Sequence, residues 1–436
     1  MAGPANPVNH GGDAMGAGDA ARSGVESRVA AGISRAEAFL EQRQEELLEF
    51  TAELIRTPSP NPPGDQSQAA ELVCARLQAL GAADAAVVTA APGRHNVLAS
   101  VTEGGTAPVL VLSGHLDTKP PGDLAAWNTP PYEPTKRNGY LVGLGAADMK
   151  GAVAAITYAA GAVAAARTGG TLRIVLTADE ETGGAYGSKW LAEQGLLHGD
   201  ACVIAEPCGV HSEWEAIRVV SRGVAIFRLT VLGTEMHSSL TDELGGVNAS
   251  LKMAQVMTQM ASAAPKLLHF TPHPLAERGP TFNVGLVVEA GLGYGVCPPV
   301  ATFLSDVRAL PGMTAESIEA DVRGFLAEMQ SKDPELQVDL EMVNWTPPAE
   351  IDGSHPIVRA LHEAAEAVLG ESVPLGVFPG GTDAPYFSGV AGIPTVPAFG
   401  PGLLPHAHAP NEAISTSSVL EAARIYALAA LRFLDA

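Results

Sequence analysis

Residues Leu172–Gly184 read LRIVLTADEETGG. The run LRIVL has the unbroken hydrophobicity of a strand buried on both faces. It ends in three adjacent acids, Asp179, Glu180 and Glu181. Like charges side by side repel, and withdrawing them from water is costly. A bound cation would offset both effects. Outward from this stretch, other apolar strands end in a similar way. VLSGHLDT closes with His115 and Asp117, and VIAEPCG with Glu206. GLGAADMKG carries Asp148 just ahead of a helix, and LLPHAHAPNE carries His406 and His408. In an open α/β sheet, ligands bind at the edge where such strands end.

Around these motifs, strands and helices alternate. HNVLASV and PVLVLSG read as strands, GAVAAITYAAGAVAAARTGG as a helix, TLRIVLT as a strand, AYGSKWLAEQG as a helix and ACVIAE as a strand. The alternation predicts an α/β fold, a mainly parallel sheet with helices on both faces. Beyond Glu213 the pattern changes to half-exposed strands and two helices. That predicts an inserted α+β unit over residues 215–343, with the catalytic unit formed from 33–214 and 344–436. Residues 1–32 read as a disordered tail, and order is expected to begin near Ile33 with one helix reaching the TPSPNPPGD break.

The chain has 436 residues, enough for two domains. Its net charge of −22 argues against nucleic acid or an anionic membrane surface as partner. The Ala-rich run 152–166 looks too short to span a bilayer and reads as a packed helix. Four scattered cysteines (Cys74, Cys202, Cys208 and Cys297) fit no zinc or redox pattern and read as free thiols. With no basic-then-apolar leader at the start, the expected compartment is the cytoplasm.

Taken one at a time, the site residues say little. A lone histidine after a strand is more often a packed residue than a ligand, and a lone glutamate more often a helix cap. Together they put two imidazoles and several carboxylates on one edge of one sheet. That donor mixture suits zinc, with cobalt and manganese as alternatives. A shared carboxylate could hold two ions ~3.5–4 Å apart, the spacing of two-metal hydrolytic sites.

The ordered motifs SPNPPGD, SGHLDT, GLGAADMKG, TADEETGG, AEP, MHSS, DVRALPG, GGTDAPYF and HAPNE resemble those of the M20 family of zinc metallopeptidases and amidohydrolases. The resemblance implies that His115 and Glu206 bind one metal, that Glu181 and His408 bind the other, and that Asp148 bridges them. It implies Asp117 orienting His115, Glu180 as general base, and His237 of MHSS polarising the scissile carbonyl across a homodimer built through the insertion. Arg308 would grip a substrate carboxylate, and Gly381 and Thr382 would offer backbone N–H groups beside it. The activity implied is hydrolysis of a C–N amide in a small substrate: an N-acyl amino acid or a short peptide. Asp179 then reads as a structural cap and His406 as a rim residue.

Two positions depart from the family pattern. Gly295 stands where Asn is common, which removes a hydrogen-bonding group from the substrate subsite. Leu144 stands where Arg is common. The first departure keeps an alternative open, an amidase on a non-peptide amide. A non-catalytic metal or small-molecule binding protein is the reading outside enzymes, and the presence of Glu180 weighs against it.

Overall fold

The computed structural model describes residues 29–102, 108–167 and 169–435. The expected tail, 1–32, falls outside these up to residue 28, and residues 29–32 are already helical. The helix expected to run on to the TPSPNPPGD break is two, 29–41 and Gln44–Arg56, with a turn at 42–43 between them.

The central sheet has six strands, ordered in space Ala86–Ala91, Arg94–Thr102, Thr171–Thr177, Val109–His115, Ala201–Ile204 and Thr395–Val396. The four strands from Thr171–Thr177 to Thr395–Val396 run parallel, and Arg94–Thr102 runs antiparallel to both of its neighbours, Ala86–Ala91 and Thr171–Thr177. The parallel register explains the site. His115 lies opposite Thr177, and Ser113 opposite Ile204. The residues that follow each strand therefore emerge side by side at one edge.

Helices Gly151–Ala166 and Thr416–Leu434 pack on this sheet in one continuous apolar core. With its lead-in turn the first spans 21 residues, so by length and composition it could cross a membrane, contrary to the expectation from its Ala-rich core alone. Its most apolar stretch is 89% buried inside the protein, which makes it the central core helix.

The second unit is a four-stranded antiparallel sheet, ordered Thr281–Ala290, Val300–Ala309, Gly223–Leu232 and Gln337–Thr346, with helices Ala249–Leu267 and Ala315–Lys332 on one face. Strand periodicity decides what each face does. Ala225, Phe227, Leu229 and Val231 are buried under the two helices. Val224 and Ile226 point the other way, over the edge of the central sheet.

Ile217–Ser221, which the sequence reading gave to the insertion, pairs instead with Leu375–Phe378 and Ala349–Glu350 on the catalytic side. Its apolar run continues almost without a break into the next strand, so periodicity alone shows no boundary. The crossing comes at Arg222–Gly223. A Cβ on Gly223 would stand 2.7 Å from both the Pro348 nitrogen and the Thr346 carbonyl oxygen, so only glycine fits between the two connecting strands.

Candidate active site

Three parallel strands deliver His115, the turn Glu180–Thr182 and Glu206 to one edge. Asp148 arrives on the turn before the core helix, and His408 on the loop before Ala413–Ser415. That last strand pairs with Tyr140–Val142, which ties the His408 loop to the Asp148 loop.

The five groups converge. His115 Nε2 is 2.9 Å from Asp148 Oδ1 and 3.5 Å from Glu206 Oε1. His408 Nε2 is 3.2 Å from Asp148 Oδ2 and 3.0 Å from Glu181 Oε2. Two clusters have ligand atoms close enough together to hold a cation, His115–Glu180–Glu206 and Asp148–Glu181–His408. The first includes Glu180 where the sequence reading used Asp148, which touches both histidines.

Asp117 sits behind His115 but not quite as expected. His115 Nδ1 is 2.9 Å from the Asp117 backbone oxygen and 3.5 Å from its carboxylate Oδ1. Either acceptor keeps the proton on Nδ1 and leaves Nε2 as a lone-pair donor toward the cluster. The other Asp117 oxygen accepts from Asn61 Nδ2 at 2.9 Å and from the Glu181 N–H at 3.2 Å. Asn61, in SPNPPGD, also reaches Thr182 Oγ1 at 2.9 Å, so this motif braces the acidic turn.

Electrostatics show what the cluster calls for. Burial raises the Glu180 carboxyl well above its usual range, with the Glu206 charge adding to it. Glu206 is raised in the same way, by burial and then by the Asp148 charge. Burial opposes ionisation of Asp148 too, but hydrogen bonds to His115 and His408 outweigh it and hold that carboxyl low. Hydrogen bonds to Asp148 and Glu181 push His408 up to about 10. So many carboxylates in one dry place call for positive charge. Divalent cations taken by the same imidazole nitrogens and carboxylate oxygens would supply it, and the donor set fits them.

Three residues without an assigned role in the sequence reading complete the frame. Glu412, in HAPNE, is buried, and its carboxylate accepts the N–H groups of Gly145, Ala147 and Asp148 at 2.8, 2.8 and 2.9 Å. Burial raises its pKa to about 8. Asp383, in GGTDAPYF, accepts from Thr177 Oγ1 at 3.0 Å and fixes the start of the acidic turn. Lys119 Nζ lies 3.2 Å from Glu181 Oε2. The motifs quoted in the sequence contain Glu412 and Asp383, and Lys119 directly follows SGHLDT, but only tertiary packing shows what they touch. Asp179 accepts the Tyr186 N–H at 2.9 Å and so stitches its loop. His406 Nδ1 is 3.1 Å from the Ala413 oxygen, apart from both clusters.

A cavity of about 510 Å³ opens above the cluster, between the edge of the central sheet and the bare face of the second sheet. Asp148, Glu180, Glu181, Glu206 and His408 line one end, and Val224, Ile226, Arg308, Gly381 and Thr382 line the other. A smaller cleft of about 280 Å³, lined by Glu37, Gln44 and Arg424, holds none of the candidate groups. His237 and Gly295 do not line the large cavity. They lie together on the second unit: His237 pairs with Val296, and the Ser238 N–H donates to the Gly295 oxygen at 3.0 Å. Both are exposed.

The comparisons with known proteins agree with this geometry. The pattern of peptidase family M20/M25/M40 matches residues 111–432. Acetylornithine deacetylase of Vibrio campbellii (strain ATCC BAA-1116) is 31% identical over 330 residues, 76% of this chain and 82% of that protein. Succinyl-diaminopimelate desuccinylase of Xylella fastidiosa (strain 9a5c) is 38% identical over 199 residues, 44% of this chain and 51% of that protein. Among solved structures, the di-peptidase Dug1p of Saccharomyces cerevisiae shares the fold with a TM-score of 0.74 at 15% identity, over 93% of this chain and 99% of that one. A dinuclear metal binding peptidase of Bacillus subtilis shares it with a TM-score of 0.65 at 18% identity, over 91% and 99%. The chain belongs to peptidase family M20/M25/M40 and is a metal-dependent amidohydrolase.

Proposed function

We propose that this chain hydrolyses the C–N amide bond of a small N-acyl amino acid or short peptide, using two divalent cations, zinc first and cobalt or manganese as alternatives. His115 and Glu206 would hold one, Glu181 and His408 the other, and Asp148 would be shared. One observation carries this reading: the two oxygens of a single carboxylate, Asp148, are turned to two different imidazoles, at 2.9 and 3.2 Å. When bound, such ions polarise an amide carbonyl and make water a stronger acid. Glu180, in the same cavity, would take the proton of the attacking water and return it to the leaving nitrogen. Relatives named for removing acetyl or succinyl groups from amino acids support the substrate class. Arg308 would meet the substrate carboxylate through its planar fork.

The working form we propose is a homodimer. The edge strand Thr281–Ala290 exposes Leu286, Val287 and Val288, and Leu292 and Tyr294 lie exposed just beyond it. Such an apolar edge calls for a cover. A second copy would bring His237 of the partner subunit to the cavity, which the chain's own His237 does not line. Gly295 would arrive with it, and the chain's own cavity keeps Arg308 for a substrate carboxylate. That favours an N-acyl amino acid over an unusual amide. The proposed compartment is the cytoplasm, in keeping with four unpaired thiols.

The test is elemental analysis alongside activity. Wild type should carry two divalent ions per chain, lose activity on chelation and regain it on metal addition, and Asp148→Ala should lose both ions. Full activity in metal-free protein would refute the reading.

A further inference from the structure

The acids at one end of the cavity call for cations, and at the other end arginines call for an anion. Val224 pairs with Arg308, and Arg308 with Thr281, across three adjacent strands. Directly opposed residues project on the same face, and Val224 and Arg308 line the cavity, so Thr281 shares their face of the sheet without itself lining the cavity. Arg222 Nη1 donates to Thr281 Oγ1 at 3.0 Å, which lays its guanidinium along this row. Its backbone N–H donates to the Gly380 oxygen at 3.0 Å, fixing it against the GGT loop of the opposite wall. Its Nη2 reaches the Arg278 carbonyl at 3.4 Å.

Arg308 already has a carboxylate neighbour, Asp306, at 2.9 Å. Among the described residues, Arg222 and Arg278 have none. Arg222 is only 9% exposed, and its Nε has no hydrogen-bond partner. Burial, then the charges of Arg278 and Arg308, pull its guanidinium below the usual range. A buried, unpaired cation is as costly as the buried acids at the other end. In a chain with 48 acidic residues against 26 basic ones, two arginines without a carboxylate neighbour, close to the Arg308 end of the cavity, stand out.

We propose that Arg222 and Arg278, beside Arg308, form a second anion subsite that takes a side-chain carboxylate of the substrate. Resting on the amide-hydrolase reading, this narrows the substrates to N-acyl derivatives of acidic amino acids, or short peptides ending in one. Arg308 meets the α-carboxylate, and the Arg222–Arg278 pair meets the second.

Matched probes test this: N-acetyl-L-glutamate against N-acetyl-L-glutamine, and N-acetyl-L-aspartate against N-acetyl-L-asparagine, on the metal-loaded full chain. The wild-type kcat/KM ratio should favour the acid by about tenfold or more, the scale of one charge-assisted contact, and should shrink as salt rises. Arg222→Met should bring the ratio toward one, and Arg222→Lys should restore part of it. A purely structural role at the crossing would lower both substrates of a pair together and leave the ratio unchanged. If Arg222→Met does not fold, Arg278→Ala, at an exposed position, should still cut the ratio several-fold. A wild-type ratio near one, or a ratio untouched by both substitutions, overturns the subsite. The same ratio measured as binding to Glu180→Gln protein separates this proposal from the one beneath it. Selective binding of the acids without wild-type turnover would sink the hydrolase reading and keep the subsite. Turnover with equal binding would do the reverse.

Discussion

Two regions of this molecule bear on the same cavity and are built in opposite ways. At the edge of the central sheet, each group has a neighbour that holds it. His115 is held by Asp117, Asp148 by Glu412, and the acidic turn by Asn61, Asp117 and Asp383. On the second unit, His237 is exposed, and its Nδ1 meets only the Ser239 beside it, at 2.8 Å to the hydroxyl. The held region can be complete within one chain. The exposed region has the look of a half-site, its apolar edge and its histidine both facing outward. Preorganised groups stabilise a transition state without having to move, so the first region is where loss should cost most.

The largest effect should come from Glu180→Gln, which keeps the volume and removes the proton acceptor. We expect kcat to fall by ~10²–10⁴-fold or more with metal content unchanged. Near-normal turnover would move the base elsewhere. Next, His237→Ala should cost ~10²–10³ in kcat, the scale of one lost oxyanion donor, again with full metal content. Leu286→Glu with Val288→Glu should reach a similar loss by another route, splitting the dimer seen in sedimentation. If those chains are monomeric yet fully active, the exposed region is not a half-site.

Glu412→Gln sharpens the comparison from the held side. One amide oxygen must replace two carboxylate oxygens that accept three N–H groups. Metal affinity should drop by ~10–100-fold, with kcat at saturating metal largely recovered. An unchanged metal titration would show that the Asp148 loop holds itself. The smallest effect should come from Gly295→Asn. Gly295 has φ +83°, a region that side chains enter at a cost of ~1–3 kcal/mol. We expect slightly lower thermal stability and a few-fold change in KM, through the loop that carries His237.

Much of this was legible in the sequence. A continuous apolar run followed by acids, repeated on successive strands, placed His115, Glu180, Glu181 and Glu206 on one edge, because parallel strands can only end together. What stayed hidden depends on contacts between distant segments. Glu412 is far from Asp148 in sequence, and no local pattern says that its carboxylate folds under that loop. The strand Ala86–Ala91 was missed because AVVTAA carries too little contrast between its faces. The crossing at Arg222 was missed because apolar strands run up to it from both sides. Arg222 itself, with its neighbours Thr281 and Arg278 drawn from a separate strand and loop, could be recognised only once the sheet had assembled.

The contrast between a complete half and an incomplete one is tested most directly by mixing. Glu180→Gln and His237→Ala proteins, each nearly inactive alone, are dissociated, combined in equal amounts and allowed to reassemble. In a mixed dimer, one of the two sites has an intact Glu180 on its own chain and an intact His237 from its partner. Half the dimers should be mixed, so activity should return to about a quarter of wild type. No recovery, in a mixture shown by mass to contain the mixed dimer, would mean that His237 serves its own chain or none.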